Sequence, residues 1–205
     1  MSKILEYSND LYEKTFKDKF QEAALNFGYP ISCVDNFFTW LDSTDFFTTA
    51  ASTRYHHSYP GGLVEHSLEV EEMAQRLAES SAYSSISKAE ITIAALCHDL
   101  CKIGLYKPGT RNVKDELTGT WSKVPCYSHS QAPLPFGHGE LSVLMLYQHF
   151  AQLPDSIILG IRYHMGTFWV PNELKGQYRE ACTKSRLPLL LFTADMMASE
   201  EVEVM

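Results

Sequence analysis

A histidine and an aspartate stand side by side, His98-Asp99, inside an otherwise apolar run, Ile-Thr-Ile-Ala-Ala-Leu-Cys-His-Asp-Leu-Cys-Lys (91–102). Burying an imidazole or a carboxylate without a partner costs several kcal/mol, so the pair predicts a partner. Four more polar groups intrude on apolar stripes in the same way: His66, His138, His164 and Asp195. His98 follows Ile91, Ala94 and Ala95 at helical spacing, His164 follows Ile157, Gly160 and Ile161, and Asp195 follows Leu191 and Phe192. His66 shares a face with Leu63, Val70 and Met73, and His138 opens a segment whose inner face holds Leu141 and Met145. These spacings direct all six groups inward.

One histidine on an apolar face is usually a satisfied core residue, but five segments each aiming such a group inward weaken that explanation. A buried hydrogen-bond network remains the structural alternative, with Asp195 its weakest member because a buried carboxylate demands a cation. Four imidazoles and two carboxylates form a mixed nitrogen and oxygen donor set without thiolates. It suits divalent manganese, iron, cobalt, nickel or zinc. Six protein ligands exceed the needs of one catalytic ion. Two ions sharing Asp99, ~3.5–4 Å apart, use them better and could activate water and stabilise a leaving oxygen.

The elements that must position these groups are helical. Residues 9–27 predict an amphipathic helix with Phe16, Phe20, Ala23 and Phe27 on one face and Gly28 as its stop. Shorter helices are expected at 36–41 and 44–51, and a turn at 59–62 opens a helix to residue 80. Ser87-Lys88-Ala89-Glu90 is a capping box ahead of the His-Asp helix. Residues 105–135 break the pattern and predict a β-hairpin insertion, with strands near 111–113 and 120–127. Helical periodicity returns at 138–150, 154–165 and 187–199.

The fold class expected is mostly α, one domain over residues 1–205, with 1–50 as a helical extension and 51–200 as the catalytic core. Apolar content of 45% and charged content of 20% fit a globular protein, and no apolar run is long enough for a membrane span. The N-terminus lacks a signal-peptide core, and five cysteines (33, 97, 101, 126 and 182) lack disulfide spacing. A cytoplasmic location with free thiols is expected. The net charge of −8 argues against an extended nucleic-acid surface and leaves room for a small anionic substrate.

The chain resembles the HD-domain metal-dependent phosphohydrolase superfamily, with its H…HD…D pattern. The resemblance runs through Gly61-Gly62-Leu63-Val64-Glu65-His66-Ser67, Leu96-Cys97-His98-Asp99-Leu100-Cys101-Lys102-Ile103-Gly104 and Thr193-Ala194-Asp195. It implies an HD-like helical bundle in which His66, His98, Asp99 and Asp195 hold one metal. His138, in Gly-His-Gly-Glu, and His164, in Arg-Tyr-His-Met-Gly, resemble the extra pair of binuclear members. The cyclic-dinucleotide branch is not matched, because Met165-Gly166-Thr167-Phe168 stands where its Gly-Tyr-Pro signature would begin.

The resemblance further implies a hydrolase acting on a phosphoester of a nucleotide or short oligonucleotide by metal-hydroxide attack on phosphorus. Asp99 would be catalytic, and Lys102, in His-Asp-x-x-Lys, would contact phosphate. A diiron oxygenase on the same scaffold, or a non-catalytic nucleotide sensor, are the rival functions. His56 and His57 are candidates for contacting substrate or protonating a leaving group. Arg111, Lys107, Lys123 and Arg162 are candidates for binding phosphate oxygens, with a plain surface charge as the alternative for each. Glu65 and Glu140 are candidates for orienting histidines. Cys97 and Cys101 are expected to pack, and His129 and His149 to lie at the surface.

Overall fold

From Ile91 to Cys97 every side chain is buried, so this short helix has no solvated face and sits at the centre of a bundle. The computed structural model describes residues 2–130, 134–167, 172 and 175–203. In chain order its elements are α1 (Ser2–Phe27), α2 (Ile31–Asp42), α3 (Gly62–Ala78), α4 (Lys88–Cys97), β1 (Tyr106–Lys114), β2 (Trp121–His129), α5 (His138–His149), α6 (Asp155–Arg162), α7 (Lys175–Lys184) and α8 (Leu187–Glu203). The fold is mostly α-helical, as expected. Among the described residues no helix is long and apolar enough to cross a membrane, and all five cysteines are free. Residues 131–133 of the expected insertion, and Phe168, lie outside the described residues.

The central α4 packs against α1, α3, α6 and α8, and α3 runs along α8. The expected capping box starts α4: Glu90 N donates to Ser87 Oγ at 3.2 Å, and Ser87 N donates to the Glu90 carboxylate at 3.0 Å. Gly160 lets α6 lie close on α8, because a Cβ there would come 2.7 Å from Leu187 Cγ. One hydrophobic cluster extends from Phe16 on α1 to Ala198 on α8, so the leading helices share the core of the later ones.

Aromatic rings weld the first two helices to that core. Phe20 stacks on Phe37 at 4.6 Å between centroids and meets Phe150 edge-on at 5.0 Å, and Phe16 lies 5.0 Å from Phe46. Phe27 departs from the expected buried face. It is 38% exposed and stacks on Tyr29 beyond the bundle.

Three local expectations need correction. The helix expected at 36–41 begins earlier, at Ile31, directly after Pro30. Residues 44–51 form turns instead of a helix. Thr44 Oγ1 donates to Leu41 O and accepts from Phe46 N, while Thr48 N and Thr49 N both bond Asp45 O. Local hydroxyl bonds of this kind compete with the helical ladder. Helix α7 was not expected at all, since it buries only Ala181 and so carries no apolar stripe to read.

The hairpin is present and longer than its sequence signals suggested. Its strands pair antiparallel from Tyr106↔His129 to Lys114↔Trp121. Asp115 closes the turn by accepting from Leu117 N at 2.9 Å and Thr118 N at 2.8 Å. Tyr127 N donates to Thr53 O at 3.1 Å, tying the root of the hairpin to the loop ahead of α3.

Phe20 touches three aromatic neighbours from α2 and the end of α5. Replacing Phe20 with Ala should therefore lower unfolding stability by about 3–5 kcal/mol, read from urea denaturation midpoints.

Candidate metal centre

In an uninterrupted helix, adjacent side chains diverge by about 100°, so His98 and Asp99 could not both face one point. The chain resolves this by ending α4 at Cys97. His98 keeps helical angles (φ −60, ψ −33), but Asp99 turns to φ −110, ψ 21 and leads into a 3-10 turn over Leu100–Lys102. The result sets His98 Nε2 3.2 Å from Asp99 Oδ2. The expectation that the pair lies within a continuous helix is thus corrected, and the break itself makes the pair convergent.

The other groups arrive from four further elements. His66 lies on α3, His138 is the first residue of α5, and Asp195 lies on α8. His164 falls in the turn after α6, which ends at Arg162 and not at 165 as expected. Gly139 permits the close approach of α5 and α6: a Cβ there would lie 2.2 Å from Arg162 O. That contact brings the His138 and His164 rings to 5.4 Å between centroids.

All six residues expected to converge do so, with Asp99 between two groups of imidazoles. Its Oδ2 lies 3.2 Å from His98 Nε2 and 3.7 Å from His66 Nε2. Its Oδ1 lies 2.6 Å from His138 Nε2 and 3.7 Å from His164 Nε2. Asp195 Oδ1 closes the first side, 3.1 Å from His66 Nε2 and 4.0 Å from His98 Nε2. Donor atoms of His66, His98 and Asp99, and again of Asp99, His138 and His164, lie within 4.8 Å of one another.

The imidazoles are oriented as ligands. His98 Nδ1 lies 2.7 Å from Ala95 O and His164 Nδ1 lies 2.6 Å from Ile161 O. A carbonyl only accepts, so each Nδ1 carries the proton and each Nε2 presents a lone pair inward. The Nε2 atoms of His66, His98 and His164 are buried without a hydrogen-bond partner. Buried nitrogens with free lone pairs beside two carboxylates fit a divalent cation better than a self-satisfied polar network.

The charges fit as well. Burial alone would raise the Asp99 pKa, but Lys102 first, then His98 and His138, hold it well below the usual carboxylate range. Burial likewise opposes ionisation of Asp195, and His66 beside it pulls its pKa down. Lys102 Nζ sits 2.5 Å from Asp99 Oδ2, only 8% of the residue being exposed. Burial would lower its pKa, yet the Asp99 carboxylate raises it, so Lys102 is a cation at the edge of the cluster.

The flanking candidates divide. The His56 ring is 5.0 Å from that of His66, at the cluster. His57 is buried behind it, in the left-handed region at φ 48, with Nε2 3.0 Å from a Glu69 carboxylate oxygen. Arg162 reaches Glu140 at 3.1 Å and also bonds Tyr163, so Glu140 orients an arginine and no histidine. Glu65 accepts from Tyr12 and Tyr59, each at 2.6 Å, and orients no histidine either. Arg111, Lys107 and Lys123 are exposed on the hairpin.

Cys97 is buried, and burial pushes its thiol pKa up, in keeping with packing. Cys101 N donates to Ser142 Oγ at 3.1 Å, tying the His-Asp turn to α5. His129 is exposed, whereas His149 stacks half-buried on Trp40 at 4.1 Å. Two contributors were missed. Ser142 lies one turn beyond His138, and Glu69 stands three residues after His66; i, i+4 and i, i+3 spacing could have revealed each.

Comparison with known proteins places this geometry in context. The family model described as HD domain matches residues 63–195, which contain all six convergent residues. No curated protein and no solved structure matches the chain. With well over half of its length under that one model, the chain belongs to the HD domain family, whose members are generally metal-dependent hydrolases.

Proposed function

We propose that the protein is a metal-dependent phosphohydrolase or phosphodiesterase acting on a nucleotide or short oligonucleotide. Asp99 carries this reading, because its two carboxylate oxygens face two different pairs of imidazoles. His66, His98, Asp99 and Asp195 would hold one divalent ion, and Asp99, His138 and His164 a second. Manganese, iron, cobalt, nickel and zinc all accept such donors. Bound ions of this kind supply an acidified water and neutralise charge on phosphoryl oxygens.

The chain's own residues do the rest. Asp99 orients both imidazole pairs about one point. Lys102 places an ammonium beside it, where an anionic phosphoryl group needs a counter-charge. That cation suits a phosphoryl group, whereas iron-dependent oxygen consumption without phosphate release would favour a diiron oxygenase instead. His56, next to His66, is the better placed of the two flanking histidines to meet substrate, since His57 is engaged with Glu69.

Ligation also needs neutral imidazoles. Burial holds the His164 pKa down at about 3 and that of His56 at about 4, and burial lowers that of His66 too. His98 and His138 run the other way: burial opposes their charge, but Asp99 raises the pKa of His98, and Cys101 and Asp99 raise that of His138 to about 10.

Replacing Asp99 with Ala should remove bound metal, measured by elemental analysis, and cut phosphodiester turnover by at least roughly 100-fold to 1,000-fold. An Asp99→Ala protein with full turnover would overturn the mechanism. Wild-type protein that binds nucleotides but turns over none would instead be a sensor. Lys102→Ala should retain metal while kcat falls roughly 100-fold on the best substrate in a nucleotide screen.

The metal-free protein should also lose stability in acid. A histidine that protonates near 6.5 when unfolded but only near 3 or 4 when folded contributes stability above 6.5 that drains away as pH falls below it. His98 and His138 contribute their stability fully below 6.5 and lose it progressively above that, up to about 10 for His138, so they do not mask the acid slope. Thermal melts in chelator should show Tm dropping between about pH 6.5 and about pH 4, and a flat profile there would contradict neutral buried imidazoles.

A further inference from the structure

The metal centre leaves the hairpin unexplained. Its strands pair chiefly with each other, and both faces are largely open to solvent. A lone two-stranded ribbon is marginal in water, so an arm of this kind needs either packing or a partner.

The pairing register sorts its side chains. Residues paired directly share a face, and the period of two places Tyr106, Lys114, Trp121, Lys123, Tyr127 and His129 together. Two lysines and Trp121 therefore mark the tip of one surface, and Tyr106, Tyr127 and His129 mark its root. Trp121 is 65% exposed at the tip, beside its partner Lys114, and the Tyr106 and His129 rings lie 5.3 Å apart at the root. Among the described residues Lys114 and Lys123 of this face, and Lys107 and Arg111 of the opposite face, form no ion pair, a local exception to the net charge of −8 that argued against an extended nucleic-acid surface. The arm's acids, Asp115 and Glu116, are confined to its turn, where Asp115 is occupied by backbone amides.

The root of this surface adjoins the centre. Tyr106 is half-buried, its hydroxyl donates to Ala51 O at 3.4 Å, and its hydroxyl senses the charges of Lys102 and Asp99. From Tyr106 to Lys114 the strand extends roughly 26 Å away from that point. Rings that can stack on any base, with two unpaired lysines beside the outermost one, suit a flexible polyanion carrying flat aromatic groups. A protein partner with an apolar face would instead meet Lys114, Lys123 and Asn112.

We propose that this face of the hairpin is a docking strip for single-stranded oligonucleotide, holding bases and phosphates so that one phosphoester reaches the metal centre. The proposal rests on the phosphohydrolase reading for the purpose of the strip, but binding can be measured without turnover.

The test uses the full chain in chelator with fluorescein-labelled oligouridylate and oligothymidylate of about ten nucleotides, followed by fluorescence anisotropy. Wild-type protein should bind, more weakly as salt rises, and Trp121→Ala with Lys123→Ala should weaken binding at least roughly 10-fold. Unchanged Tm and circular dichroism establish that the double variant folds. A ribose preference between the two probes assigns RNA, equal binding assigns either single strand, and both support the strip. No wild-type binding, equal binding by the variant, or equally tight binding of a duplex would sink it. Such a failure leaves the phosphohydrolase reading untouched. Conversely, failure of every hydrolysis assay leaves a positive binding result standing.

Discussion

A carboxylate that is 2% exposed and surrounded by imidazoles is the constraint from which the rest of this structure follows. Ionisation and burial of Asp99 conflict unless cations meet the carboxylate on both sides. Lys102 meets one oxygen and His138 the other. The broken end of α4, the glycine contact between α5 and α6, and the inward lone pairs of His98 and His164 all serve the same convergence. Central burial of α4 makes that end rigid, since it is packed by four neighbouring helices.

The metal-ligand candidates were legible because each breaks a rule. A polar group on an apolar stripe is conspicuous at His66, His98, His164 and Asp195, and the three-dimensional structure gathers all of them. The capping box at Ser87 was legible for a similar reason: it is a local bond pattern with a fixed spacing. What stayed hidden depends on tertiary contact. Nothing in the sequence separates His56 from its neighbour, yet a left-handed backbone at His57 sends the second ring to Glu69. Arg162 looked available for phosphate, but Glu140 and Tyr163 hold it.

Secondary structure shows the same division. Helix α7 carries no apolar stripe, and the threonines of residues 44–51 satisfy themselves locally, so periodicity misread both. The leading residues are more than an appendage by packing. Phe16 and Phe20 lie in the same cluster as Ile157 and Leu191, although the family match begins only at residue 63. A truncation at the family boundary would strip rings from the floor beneath α4.

The lysine on Asp99 has a consequence for the life of the protein. An ammonium and a protonated imidazole already flank the buried Asp99 carboxylate, one at each oxygen. The Asp99 carboxylate therefore carries internal counter-ions of its own. Metal binding there would be an exchange, since His138 would have to give up its proton and Lys102 its place on Asp99. Acidity and ion supply would then compete at one carboxylate, because protons and metal seek the same nitrogens.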